Sequence, residues 1–149
     1  TVPGNTSKGD SMMRVNPYLF FSGNCEEAFT FYHKVLGGKI TAMMKHRGTE
    51  AEAYVPADWV DKVMHAALDL GEDILMGSDS SPDHQEPMQS VYVSLQFSDA
   101  DEGKRIFDAL AEGGTVKMPF TPTFFSAGFG MLEDRFGARW MVNAGEPSS

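Results

Sequence analysis

Four histidines, one cysteine and a surplus of carboxylates are the side chains here with the chemistry for acid/base, nucleophilic or metal-dependent work. The histidines are His33, His46, His65 and His84, and they follow no HxH or HExxH spacing, so no pair is poised on one strand or helix face to grip a metal. Only His65 falls within an extended run, where it is either a hydrogen-bonded structural histidine or a ligand contact. Cys25 sits just inside an expected helix start, a place where the helix dipole favours thiolate, but no base partner is placed beside it. A GxSxG elbow, a phosphate-cradling P-loop and a GxGxxG turn opening a helix are all missing, which removes the minimum residues for serine hydrolysis and nucleotide binding.

What remains is a set for binding. Tyr18, Phe20, Met76, Tyr92, Phe124, Phe125, Met131 and Met141 supply flat or pliable apolar surface, and Asn16, His65, Ser94 and Asn143 supply polar points. Apolar walls with a few polar anchors are how small-molecule pockets are built. The competing reading is that the same residues pack a core or a dimer interface.

These residues are organised by an internal repeat. At an offset of 76 residues, the spacing of Phe21 and Phe97, the chain matches itself at Leu19/Leu95, Ser22/Ser98, Glu26/Glu102, Phe31/Phe107, Gly37/Gly113 and Gly38/Gly114. Two adjacent glycines at one distance from a strand end point to a duplicated supersecondary unit. Each copy opens with an extended run, Val15 to Phe21 and Val91 to Phe97. A helix follows in each. The first is expected to start at Asn24 with Glu27 in a capping box and to bury Ala28, Phe31, Tyr32, Val35 and Leu36; the second starts at Asp99 with Glu102 and buries Ile106, Phe107, Leu110 and Ala111. The glycine pairs end both helices.

Three strands are then expected per copy: about Lys39 to Lys45, Val63 to Leu70 and Asp73 to Gly77, and about Thr115 to Phe120, Phe129 to Asp134 and Ala138 to Val142. The fold class is therefore α+β, two tandem βαβββ modules forming a curved mixed sheet with a concave pocket. Alternation along the first strand sends Val15, Leu19 and Phe21 to the helix side and Asn16, Tyr18 and Phe20 to the pocket side. Residues 13–149 are expected to be one domain, with module one at about 14–77, a polar linker at about 78–89 and module two at about 90–144. Residues 1–12 read as a disordered leader foreign to the fold.

Lys and Arg number 12 against 21 Asp and Glu, a formal net charge of −9. A polyanion would be repelled, so no nucleic acid is expected as partner. No apolar run approaches a membrane span, and none is expected. One cysteine permits no internal disulfide and suits a reducing cytoplasm.

Several motifs carry a family resemblance: Pro17-Tyr18-Leu19-Phe20-Phe21 with Gly23-Asn24, Glu27-Ala28, Phe31-Tyr32, Gly37-Gly38, His65-Ala66, Glu102-Gly103-Lys104, and the closing Gly128-Phe129-Gly130, Asp134, Phe136-Gly137 and Trp140-Met141-Val142-Asn143. Over about Arg14 to Ala144 the chain resembles the vicinal oxygen chelate, or glyoxalase/bleomycin-resistance/dioxygenase, superfamily, and within it the PhnB-like branch. The resemblance implies four inward slots for a divalent ion, and places them near Asn16, Tyr92, Met76 and Met141. Two thioethers and a neutral phenol suit no hard or borderline cation, so the family's metal is expected to be lost and no cofactor to replace it. Relatives of the branch are sometimes labelled ubiquinone-pathway methyltransferases, yet this chain has no glycine-rich strand-to-helix turn for S-adenosylmethionine.

The expected function is binding of a small, partly aromatic molecule in a metal-free pocket whose candidate contacts are Asn16, Tyr18, Phe20, His65, Met76, Tyr92, Ser94, Phe124, Phe125 and Met141. No catalytic residue is assigned. The alternative is a metal-dependent lyase, isomerase or dioxygenase of the glyoxalase type. A homodimer is expected, because curved βαβββ sheets leave open edges and the superfamily pairs modules across subunits.

Overall fold

The computed structural model describes residues 13–147; the expectation for residues 1–12 lies outside them. Two copies of one unit follow each other: β1 (Tyr18–Phe21), α1 (Cys25–Leu36), β2 (Lys39–Lys45), β3 (Val63–Asp69) and β4 (Ile74–Asp79), then β5 (Val93–Phe97), α2 (Ala100–Ala111), β6 (Thr115–Thr123), β7 (Ser126–Glu133) and β8 (Arg139–Ala144). The α+β architecture read from the repeat is present, with one difference. The strands form two four-stranded sheets, ordered β1-β4-β3-β2 and β5-β8-β7-β6, and not one continuous sheet. In each sheet the opening strand pairs parallel with the closing one, and the remaining pairs are antiparallel.

The 76-residue offset holds through the first half of each module, where Leu19 and Leu95 both lie in the opening strand. It shortens afterwards because module one inserts residues 46–62 between β2 and β3, whereas β6 and β7 are joined directly at Phe124-Phe125. The insertion carries 3-10 turns at Glu50–Tyr54 and Ala57–Trp59, the first capped by the Thr49 hydroxyl accepting from the Ala51 N–H. A forked Arg47–Asp61 pair, at 2.7 and 2.9 Å, closes its base.

Both helices are amphipathic, but their first turns are capped differently. The Asp99 carboxylate accepts from the N–H groups of Asp101 and Glu102, as expected for a residue at the N-cap. Its expected reciprocal partner, Glu102, instead pairs with Arg105. Asn24 makes no side-chain cap. Its role passes to Asp79 at the end of β4, whose Oδ1 accepts from Gly23 and Cys25 N–H and whose Oδ2 accepts from Val63 N–H, all at 2.9 Å. The register that pairs Phe21 with Asp79 brings this buried carboxylate under the positive end of α1.

One apolar cluster spans both modules and includes Phe21, Phe29, Tyr32, Leu68, Phe107, Leu132 and Trp140. Phe29, outside the expected stripe of α1, is fully buried against Phe21 and Tyr32. Tyr32 reaches across from α1 to the Trp140 ring of β8 at 5.1 Å between centroids. Burying aromatic rings of this size contributes roughly 1.5–3 kcal/mol each, and this shared cluster is what ties the sheets together on their helix side. The opposite sheet faces are left to build a site.

Candidate ligand pocket

Alternation decides which side chains reach the open faces. In β1, Leu19 and Phe21 turn toward the helices, while Tyr18 and Phe20 remain 37% and 55% exposed on the other side. Register places Met76 opposite Tyr18. His65 of β3 stands beside them: its Nδ1 lies 3.0 Å from the Tyr18 hydroxyl, and the two rings stack at 5.7 Å between centroids. Tyr18 also leans on Phe20, centroids 5.0 Å apart. Four of the expected contacts, Tyr18, Phe20, His65 and Met76, thus meet on one face.

The second sheet repeats the plan with more polar residues. Ser94 is opposite Met141, and Gln96 is opposite Asn143. A relay runs across that face, with Asn143 Nδ2 donating to Gln96 Oε1 at 3.0 Å and Gln96 Nε2 donating to Ser94 Oγ at 2.8 Å. The relay leaves Asn143 Oδ1 buried and without a hydrogen-bond donor among the described residues.

Of the remaining expected contacts, Phe125 borders the second group, sharing a small hollow with Gln96 and Asn143. Asn16 precedes β1, and its Oδ1 accepts from the Ile74 N–H at 3.4 Å. Tyr92 is half-buried immediately before β5. Phe124 and Phe125 form the β6–β7 turn, Phe124 92% exposed and Phe125 packed edge-on against Phe129.

Between the sheets lies a cavity of about 540 Å³ that sequence reasoning missed in its composition. Tyr18, Leu19 and Phe20 of β1 form one wall, Arg139 and Val93 come from the second module, and the connecting segment supplies the rest, including His84, Met88 and Val91; of the expected contacts only Tyr18 and Phe20 line it. The connection is therefore a wall as well as a tether. Ser90 is the one non-glycine residue with positive φ among the described residues, 67°, and it stands between Gln89 and Val91, both of which line the cavity. That conformation costs about 1–2 kcal/mol in a residue with a Cβ. The signals were available: Met88 is an isolated apolar residue in a polar stretch, and Arg139 is in phase with Met141 on the open face.

Other hollows are less suited to a small apolar ligand. A larger one of about 660 Å³ runs between α1 and α2 under charged side chains such as Glu26, Glu27, Lys34 and Arg135. A smaller one of about 260 Å³ lies beside Gln96, Phe125 and Asn143.

Nucleophilic and metal chemistry find little support in the donors present. Burial, reinforced by the carboxylates of Asp79 and Glu26, pushes the Cys25 thiol far above its ordinary value, which keeps it protonated and inert. Among the described residues no group of three or more His, Cys, Asp and Glu side chains is arranged to hold an ion. The slots implied by the family resemblance carry Met76 and Met141 thioethers, the Tyr92 phenol and an Asn16 amide oxygen directed at the Ile74 N–H, a donor set that does not fit a hard divalent ion.

A family model described as the glyoxalase/bleomycin resistance protein/dioxygenase superfamily matches residues 14–142. Protein YjdN of Escherichia coli (strain K12) is 33% identical over 140 residues, covering 88% of this chain and 95% of that protein. Protein PA1353 from Pseudomonas aeruginosa, of known crystal structure, is 47% identical with a TM-score of 0.83, covering 90% of this chain and 98% of its own. A PhnB protein from Bacillus cereus shares the fold at a TM-score of 0.74 and 24% identity, covering 89% and 99% of the two chains.

Proposed function

The chain belongs to the glyoxalase/bleomycin resistance protein/dioxygenase superfamily, and from that premise we propose that it binds a small, partly aromatic molecule in a pocket that uses no metal. The observation that carries this reading is the pair of aromatic rings, Tyr18 and Phe20, left exposed side by side above a cavity, with the Tyr18 hydroxyl and His65 already linked as a polar edge. A flat ligand gains contact area against the rings, and the hydroxyl and imidazole orient it. Met76, opposite Tyr18 on the same face, gives the ring a pliable neighbour. The fold itself hosts many chemistries, so the reading rests on these side chains.

The test is a thermal-shift screen of aromatic metabolites and antibiotics, followed by calorimetry on the best ligand. Tyr18→Ala should weaken it by about 1–3 kcal/mol, the scale for losing a large side chain's contact area. Tyr54→Ala, which changes an 84% exposed residue in the 46–62 insertion, should leave binding unchanged. Equal affinity for wild type and Tyr18→Ala would remove the aromatic face from the site. The metal-dependent lyase, isomerase or dioxygenase reading makes the opposite forecast: stoichiometric Zn, Mn, Fe or Ni in purified protein, lost with activity on chelation.

The assembly we propose is a homodimer, supported by apolar side chains left in the open at Phe20, Met44, Val116, Met118 and Phe124. The compartment we propose is the cytoplasm, supported by the lone buried Cys25 thiol. Among the described residues no helix is long and apolar enough to cross a membrane.

A further inference from the structure

Arg139 opens β8, and its alternation with the buried Trp140 turns its guanidinium to the open side, where it lines the cavity together with Tyr18 and Phe20. The side chain is only 22% exposed. Its Nε is buried, and no acceptor among the described residues reaches it in hydrogen-bond geometry. The carboxylate of Glu133, its register partner on β7, is 3.4 Å from that nitrogen, close enough for attraction but not aligned as a hydrogen bond. Glu133 is also shared. Lys117 of β6 approaches the same oxygen at 3.7 Å, so the three side chains carry a net single positive charge in a chain whose total is −9.

Nε itself is closed to solvent against Glu133, so a ligand in the cavity would meet the outer end of the guanidinium, whose counter-charge, Glu133, is also shared with Lys117. The planar fork of an arginine is the side-chain shape best matched to a carboxylate. We propose that the cavity between the two sheets is a site for a small planar aromatic carboxylate, its acid group on Arg139 and its ring against Tyr18 and Phe20, with the connecting segment at Met88 and Val91 closing the outer side. Glu86 and His84 border the same cavity. Glu86 disfavours a second negative charge there, which selects a monoanion over a dianion.

This inference rests on the reading that the aromatic face binds a small molecule, and the experiment separates the two. Titration calorimetry would compare 2-naphthoate with its neutral isostere 2-naphthamide, on wild type, Arg139→Gln, Arg139→Lys, Glu133→Gln and Tyr18→Ala. One charge-assisted pair should make wild type prefer the carboxylate by about tenfold or more. Arg139→Gln should abolish that preference by weakening naphthoate alone, and Arg139→Lys should keep only part of it. Glu133→Gln, which frees the guanidinium from its competitor, should tighten naphthoate and leave the amide unchanged. Tyr18→Ala should weaken both probes.

If the amide binds as well as the acid to wild type, or if the preference survives Arg139→Gln, the carboxylate site is wrong while the aromatic reading stands. If neither probe binds at millimolar concentration, both fall. Should Arg139→Gln fail to fold, as judged by circular dichroism, the Glu133→Gln and Arg139→Lys titrations decide alone: unchanged naphthoate affinity in both overturns the proposal.

Discussion

The Tyr32 hydroxyl of the first module donates to Asp134 Oδ2 of the second at 2.5 Å, across 102 residues of chain. Both residues are buried, and the same carboxylate oxygen accepts from Trp140 Nε1 at 2.9 Å while Oδ1 takes the N–H groups of Phe136 and Ala138. The turn between β7 and β8, the indole of β8 and the helix of the other module are thus organised around one anion. A buried carboxylate is stable in such a place only when its lone pairs are matched.

Removing one donor should therefore cost more than an ordinary surface hydrogen bond. Tyr32→Phe is expected to lower unfolding free energy by about 1.5–3 kcal/mol, the range for a hydrogen bond to a charged group. Asp134→Ala, which strands four donors, should cost more than about 3 kcal/mol. Urea unfolding of the three proteins checks the order, and a Tyr32→Phe midpoint equal to wild type would show that the hydroxyl contributes nothing net.

A second expectation concerns the repeated glycine pairs. A Cβ on Gly38 or on Gly114 would fall inside contact distance of a backbone carbonyl, Asp69 in one module and Glu133 in the other, because β2 and β6 start hard against the next strand. Gly37 has nothing within 4 Å, but its φ is 81°. Gly37→Ala should thus cost only the conformational penalty, about 1–2 kcal/mol. Gly38→Ala and Gly114→Ala should each cost clearly more, since backbone must move. Thermal denaturation of the three variants tests this order, and Gly37→Ala as the most damaging would refute it.

The glycine pairs also show how much of the fold was legible. Duplication, element order and the faces of Leu19, Phe21, Tyr18 and Phe20 follow from periodicities of 2 and 3.6, which are local properties of a chain. The cap supplied by Asp79 was not legible, because its partners Gly23, Cys25 and Val63 are brought to it by register, and a polar Asn24 at the helix start offered a sufficient local answer. The candidate site divides the same way. Tyr18, Phe20, His65 and Met76 meet because strand alternation is regular. The wall formed by residues 84–91 and the half-matched charge of Arg139 depend on how two modules sit beside each other, which no single-strand pattern encodes. The lengths of β6 and β7 set Phe124 and Phe125 at the turn between them, where Phe125 still borders the small hollow beside Gln96 and Asn143.

The alkaline limb of stability follows from two buried acids. Burial first, then Asp79 and Glu26, raises Cys25 above its ordinary 9.0; burial first, then Asp134, raises Tyr32 well above its ordinary 10.0. Each group keeps its proton in the folded state at a pH where the unfolded chain has released it. The folded state then binds more protons than the unfolded one, so stability falls with rising pH. Their contribution is whole below about pH 9 and is lost as pH climbs toward the folded values. Urea midpoints should be insensitive to these groups at neutral pH and decline above about pH 9, and Cys25→Ala should flatten the first part of the decline. Native protein should also react slowly with Ellman's reagent at pH 8 and quickly once unfolded. A fast native reaction would mean that the thiol is neither buried nor held protonated.

The proposed dimer can be tested at the tip of the β6–β7 hairpin. Phe124 is 92% exposed and meets Phe125 edge-on at 5.1 Å between centroids, and Phe125 meets Phe129 at the same separation, so a ladder of three rings runs from the open face to solvent. Val116 and Met118, on the outer strand of the same hairpin, are also exposed, and among the described residues β6 has no neighbour on its far side. Lys117, Pro119 and Pro122 blunt the backbone edge of this nine-residue strand, so association would use its exposed apolar side chains and not strand pairing. A two-fold axis would let each copy cover the other's hairpin, since one patch then meets itself. Light scattering at micromolar concentration should give about twice the 16.3 kDa chain mass. Phe124→Asp places a charge where a ring would be desolvated, and it should weaken association by about 2 kcal/mol or more, roughly thirtyfold in dimer dissociation constant, without lowering the stability of the isolated fold. A monomer mass for wild type would sink the dimer outright. A dimer indifferent to Phe124→Asp would move the interface away from this hairpin and onto the exposed face of the first sheet, where Phe20 and Met44 are the next residues to change.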